Sequence, residues 1–254
     1  MLELRNVSKL YSGIAAVEGV SFQARPGEVT GYLGANGSGK STTMKIIAGL
    51  LAPSSGEVLF EGQPVSADWI AFRRRMGYVP EEPHLYPHLS GLEYLWMVAQ
   101  LRDMDRKTAR QRIDGMLRLL GLHGDREVAI SSYSKGMRQK VLLSAALMHN
   151  PDLVLLDEPF SGLDVGSALV LRSLIEELAQ RGKVVLFSSH ELETVERVCS
   201  HVVILHQGHL VADDSIANLR SLMSLATLED IFSELAVEHD AGAISREIAD
   251  LIHA

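Results

Sequence analysis

Apolar and polar positions along the chain follow two textures, one of short β-type runs and one of helical stripes. Leu2 to Val7 and Ala15 to Phe22 read as β strands, and Arg25-Pro26-Gly27-Glu28 is a turn. Val29 to Leu33 reads as a short buried strand. Met44, Ile47, Ala48 and Leu51 then fall at helical spacing, which predicts a helix over Ser41 to Leu51. Pro53-Ser54-Ser55-Gly56 breaks the chain, Val58 to Phe60 is a strand, and Glu61-Gly62-Gln63-Pro64 is another turn. Gly77 to Val79 is a strand that stops at Pro80.

From Ser90 to Met148 the texture is helical. Ser90 and Glu93 form a capping box ahead of Leu92, Leu95 and Trp96. Lys107 to Leu120 is amphipathic, with Ile113, Met116, Leu117 and Leu120 on one face and Gly121 as its stop. A third helix runs from Ser134 to Met148 and ends before Asn150-Pro151. Alternation then resumes: strand Leu153 to Leu156, helix Val165 to Gln180, strand Val184 to Ser188. Val202 to Leu205 and Leu210-Val211 flank Gln207-Gly208, a hairpin signal. Strands alternating with helices imply a largely parallel sheet covered on both faces, with the helical block inserted into it. Beyond residue 217, Leu228, Phe232 and Leu235 form one stripe, and Ile244, Ile248, Leu251 and Ile252 another. Glu238-His239-Asp240-Ala241-Gly242 separates them. Such stripes pack onto the parent domain or, alternatively, onto a second subunit.

Bulk composition narrows the class. The chain has 254 residues, 46% of them apolar, enough for one large core with a subdomain. The most apolar stretch, Val141 to Met148, is far shorter than a membrane-spanning helix, and Met1-Leu2-Glu3-Leu4-Arg5 lacks the layout of a signal peptide. A cytosolic protein is expected, and the lone Cys199 fits a reducing compartment. A net charge of −8 argues against a nucleic-acid partner. Arg73-Arg74-Arg75, the densest basic run, reads as a solvated helix end.

The chemistry concentrates in two places. Gly34-Ala35-Asn36-Gly37-Ser38-Gly39-Lys40-Ser41 matches G-x-x-x-x-G-K-[ST] between a predicted strand and a predicted helix. Its glycines let the backbone wrap an anion, and its N–H groups and the helix N-terminus face the phosphates. In that pattern Lys40 reaches the β and γ phosphates, and the Ser41 hydroxyl is a Mg²⁺ ligand. Leu153 to Leu156 runs straight into Asp157-Glu158-Pro159. Asp157 suits a carboxylate that holds Mg²⁺, and Glu158 one that accepts a proton from attacking water.

These residues, with four further motifs, resemble the nucleotide-binding subunit of ATP-binding cassette (ABC) transporters. Tyr133-Ser134-Lys135-Gly136-Met137-Arg138-Gln139 resembles the family signature, and Ser161-Gly162-Leu163-Asp164 its D-loop. His190 falls at the family's switch histidine and Tyr11 at the aromatic that stacks on adenine. The resemblance covers Leu2 to about residue 217 and implies an α/β P-loop NTPase core with a mainly parallel sheet. To that core it adds an N-terminal antiparallel β subdomain and an α-helical subdomain inserted at about 84–150. Residues 218–254 are then a C-terminal helical extension. It further implies that two cassettes, copies or homologues, sandwich two ATP molecules head to tail. Each ATP lies between Gly34–Thr42 of one chain and Ser134–Met137 of the other. His190 holds the γ-phosphate and Asp164 couples the two sites. Ser134 is also an N-cap candidate on its own account, so its helix offers N–H groups to an anion.

Departures from the family pattern sharpen the expectation. Glu81 stands where the family has a glutamine that reaches Mg²⁺ or water; Lys135 replaces a signature glycine and Met137 a glutamine. Lys135 and Glu81 are expected to compensate each other across the dimer. The variant signature resembles that of drug, antibiotic, sodium or polysaccharide exporters. By this resemblance the protein is an ATPase that drives a separate integral membrane permease from the inner face of the membrane. The alternative is a soluble ABC ATPase acting on nucleic acid or the ribosome. Pro83 and Pro87 break any helix that would bring His84 and His88 together, so these read as non-ligands; His206 and His209 read as solvated turn residues. Tyr86, Tyr94, Trp96 and Met97 are candidates for the permease-receiving groove, with core packing the rival reading of Trp96 and Met97.

Overall fold

The fold was analysed in a computed structural model, which describes residues 1–82, 84–223, 225, 227–236 and 252. Pro83, the segment Glu238 to Gly242 and most of the Ile244–Ile252 stripe lie outside the described residues. Six strands build the central sheet. These are β3 (Val29–Gly34), β6 (Met76–Val79), β7 (Leu153–Asp157), β8 (Val184–Ser189), β9 (His201–His206) and β10 (His209–Ser215). Their spatial order is β10-β9-β3-β8-β7-β6. All neighbours are parallel except the β9–β10 hairpin. A second, antiparallel sheet has the order β2-β1-β4-β5, from β1 (Leu2–Tyr11), β2 (Ile14–Ala24), β4 (Ser55–Phe60) and β5 (Gln63–Pro64).

The continuous apolar runs are explained by burial on both faces. In β7, Leu153 and Leu155 enter one core while Val154 and Leu156 enter the other. In β8 the same alternation sends Val184 and Leu186 one way and Val185 and Phe187 the other. One core fills the space between this sheet, the antiparallel sheet and α1 (Lys40–Ile47). The other lies under α6 (Val165–Gln180), α7 (Leu192–Val198), α8 (Ile216–Met223) and α9 (Leu228–Ala236). Leu228 and Ile231 are fully buried there, with Phe232 and Leu235 against them, so the first tail stripe packs on its own chain. The boundary expected at 217 falls inside α8, where Ile216 and Leu219 are both buried.

A third core unites α3 (Gly91–Leu101), α4 (Arg106–Leu119) and α5 (Lys135–Leu147). The Ser90–Glu93 capping box is present, and Gly121 has φ +72° beyond the end of α4. Trp96 packs against this core, whereas Tyr86 stays exposed with its ring 6.4 Å from that of Tyr94. α2 (Trp69–Arg74) is capped by Asp68, which accepts from Ala71 N at 2.9 Å. The arginines at its end are not simply solvated: Arg73 donates to Gly49 O, Arg74 to Asp103, and Arg75 to both Glu61 and Asp152. Among the described residues no helix is long and apolar enough to cross a membrane.

Candidate functional site

Register brings the carboxyl ends of four parallel strands to one level. Leu33 pairs with Ser189, Asp157 with Ser188 and Val79 with Leu156. The phosphate loop follows β3, Glu81 follows β6, Asp157 and Glu158 end β7, and His190 follows β8. Open α/β sheets place ligands at this edge.

Backbone crowding explains the glycines of the loop. A Cβ at Gly34 would lie 2.2 Å from Ser38 Oγ, and one at Gly39 would lie 2.5 Å from Ala16 O. Gly39 also has φ +105°, where it caps α1. Gly37 has φ +83° and open space around it, beside the exposed Asn36. Lys40 is buried, and its ammonium donates to the carbonyls of Gly34 at 2.7 Å and Ala35 at 3.2 Å. Burial pulls Lys40 below its usual range, opposed by Glu158, Asp157 and Glu81. The hairpin turn at Gln207-Gly208 props the loop from outside. Gly208 N donates to Ser38 O at 3.0 Å, and Glu18 N donates to Gly208 O at 2.9 Å.

The acidic half is equally ordered. Glu158 has φ +47°, and its carboxylate lies 2.9 Å from His190 Nδ1. The Ser188 hydroxyl donates to Asp157 Oδ1 at 2.5 Å and accepts from Glu158 N at 3.1 Å. Burial raises the Asp157 carboxyl despite the Ser188 bond, and Glu81 adds to the rise. Burial likewise raises Glu158, opposed by His190. The Ser41 hydroxyl reaches toward Glu81 Oε2 at 3.5 Å and lowers Asp157 by hydrogen bonding. Thr42 sits half-buried in the same helical turn.

Two observations test the site against a nucleotide and its cation. Ser38 Oγ is buried without a hydrogen-bond partner, inside a loop whose concavity a Cβ would fill. Ser41, Glu81 and Asp157 offer only hard oxygen donors, the set that suits Mg²⁺. Among the described residues no group of three or more His, Cys, Asp or Glu is arranged to hold a metal by itself. Mg²⁺ bound through few protein oxygens, with phosphate and water completing its shell, is compatible with that arrangement.

The remaining predicted residues point elsewhere. Ser134 caps α5, accepting from Met137 N at 3.2 Å, as its sequence predicts. Lys135 donates to Ser161 Oγ at 2.7 Å, and Gly136 lies against the Gly162 carbonyl. Asp164 caps α6 through Ser167 N at 2.8 Å, and the Ser167 bonds hold its carboxyl below the usual range. Tyr11 is half-exposed at the end of β1, with Lys9 Nζ 5.5 Å from its ring centroid. Sequence reasoning missed Ser188 and the Gln207-Gly208 prop. Ser188 is one of two serines before His190, and only the pairing of β7 with β8 shows its partners.

The strand order, the loop and the acids at strand tips define a P-loop nucleotide hydrolase. Residues 17–161 match the ABC transporter family, and the chain belongs to that family of ATPases. An ABC transporter ATP-binding protein of Nostoc is 39% identical over 81% of this chain, an alignment spanning 62% of that relative's length. EcsA, an ABC-type transporter ATP-binding protein of Bacillus subtilis, is 33% identical over 95% of this chain and 98% of its own. The solved ATP-binding subunit of an ABC transporter superposes with a TM-score of 0.88 at 34% identity, covering 92% of this chain and 99% of that one. A dimeric ATP-binding cassette in a post-hydrolysis state with ADP and Pi gives a TM-score of 0.78 at 26% identity, covering 85% of this chain and 99% of that one.

Proposed function

We propose that the chain is the ATP-hydrolysing subunit of an exporter, working as a head-to-tail pair of cassettes on a separate membrane permease. The observation that carries the catalytic part is the convergence of Lys40, Ser41, Asp157, Glu158 and His190 on one sheet edge. Residues 1–217, with the insertion at 84–150, form the cassette, and the extension 218–254 joins its core through Leu219, Leu228 and Ile231. Support for export comes from relatives: a linearmycin resistance ATP-binding protein of Bacillus subtilis is 33% identical over 90% of this chain. Support for pairing comes from the dimeric cassettes among similar structures.

In this reading Lys40, the loop N–H groups and the backbone N–H groups of the partner's Ser134–Gly136 segment hold the triphosphate, and Tyr11 stacks on the base. Ser41, Asp157 and Glu81 hold Mg²⁺, which neutralises charge on the β and γ phosphates. Glu158 accepts the proton of the attacking water. His190, bonded to Glu158 through Nδ1 at 2.9 Å, orients that carboxylate and presents its other ring edge toward the γ-phosphate. Elevation of the Glu158 pKa by burial makes it a better proton acceptor than a solvated carboxylate. The Glu158→Gln variant is expected to bind ATP, lose about 10²–10⁴-fold in turnover, and double in mass with MgATP by light scattering. Lys40→Ala should stay at the single-chain mass. A Glu158→Gln chain that stays single at saturating ATP overturns the paired mechanism.

A further inference from the structure

Five contacts fasten the start of α5 to residues 159–164 of the same chain. Lys135 Nζ donates to Ser161 Oγ at 2.7 Å. The Lys135 stem lies over Gly162, where a Cβ would come within 2.7 Å of Cδ and 2.8 Å of Cγ. A Cβ at Gly136 would lie 2.8 Å from Gly162 O, so two backbones meet there without room for a side chain. Deeper in, the buried Gln139 donates to Pro159 O at 3.2 Å, and Lys140 Nζ lies 3.8 Å from Asp164 Oδ2. The loop so gripped begins at the residue after Glu158, itself held at φ +47°.

A lysine on an exposed helix end ordinarily extends into water, because ordering it costs side-chain entropy. Here its stem covers a glycine with φ +79° and its ammonium ends on a hydroxyl. We propose that Lys135 is a positioning residue that acts within its own chain. With Ser161 it latches the N-terminus of α5 to the loop after Glu158, so the helix end offered to the partner's nucleotide moves with the carboxylate serving the chain's own. This coupling rests on the paired-cassette reading above; the latch itself does not.

The test uses the full chain with Lys135→Met, Ser161→Ala, their combination, and Lys135→Arg. In steady-state ATPase assays, Lys135→Met and Ser161→Ala each lower the Hill coefficient toward 1 with KM for ATP within about twofold. The double variant resembles either single one, and Lys135→Arg restores cooperativity. A KM raised about tenfold by Lys135→Met, with Ser161→Ala silent, would make Lys135 a direct phosphate contact and overturn the latch. Additivity with Ser161→Ala but not with Glu81→Gln would place its partner across the dimer and overturn it equally. A wild-type Hill coefficient of 1 overturns the coupling. Amide hydrogen exchange on the nucleotide-free protein decides the latch apart from any ATPase activity. Lys135→Met should speed exchange at Ser161 to Asp164, and Ser161→Ala should speed it at Gly136 to Arg138. Unchanged exchange in both refutes the latch even if ATP hydrolysis and pairing are found.

Discussion

Ser188 carries more of the chemistry than its place in the sequence announces. One hydroxyl fixes the Asp157 carboxylate and the backbone of Glu158 together, from a strand 31 residues away. Ser188→Ala takes the hydroxyl from a buried carboxylate, a loss of about 1–3 kcal/mol, while Glu158 N keeps the Ser188 carbonyl at 3.3 Å. If that falls on the transition state, turnover drops about 5- to 150-fold with ATP affinity unchanged, whereas Ser188→Thr keeps the hydroxyl. Equal loss of affinity and turnover would assign Ser188 to the fold instead. The two raised acids also set a pH sign. A carboxyl whose folded pKa exceeds its unfolded one binds more protons folded, so stability falls as pH rises through that window. Glu158→Gln removes this cost, and its thermal midpoint should exceed wild type at pH 7, with the gap closing toward about pH 4.

Among the elements, legibility followed burial and length. Strands β7 and β8 could be read because both faces are buried, which leaves an unbroken apolar run. Helix α6 could be read from end to end because Leu171, Ile175 and Ala179 keep a helical period into the core. α7 escaped notice, and α2 could be read only as a helix end at Arg73 to Arg75, because seven and six residues hold too few turns to show a period. The contact of the β9–β10 turn with the phosphate loop was illegible because 170 residues separate Ser38 from Gly208 and no local pattern encodes it. Where the inserted helices meet the sheet, His149 bonds to Met76 O at 3.1 Å and Arg112 to Met148 O at 2.7 Å. Burial, with Arg102 and Arg112 nearby, pulls His149 down to about 4. A histidine neutral in the fold but charged when unfolded costs stability as pH falls from its ordinary 6.5 toward that value. Thermal melts between pH 7 and pH 4 should show this loss, and His149→Gln should flatten it. An unchanged slope would remove His149 from the acid response.

For the whole molecule, the resemblance carried by six short motifs reached further than any periodicity, since it implied a pairing that a single chain does not contain. Tyr86 tests the other proposed contact. It is 61% exposed beside Glu81's loop and lies outside the residues assigned to the nucleotide. Tyr86→Ala should leave basal ATPase activity unchanged while weakening co-purification with a membrane subunit about tenfold or more. Intact co-purification would move the docking surface elsewhere. Meanwhile the phosphate loop stands braced by Ala16 and Gly208, which lie against one another. A loop held by contacts of its own backbone has little ordering entropy to lose when it takes a phosphate. On the proposed pairing, the energy of gripping a triphosphate remains available for drawing two proteins together and, on cleavage, for letting them part.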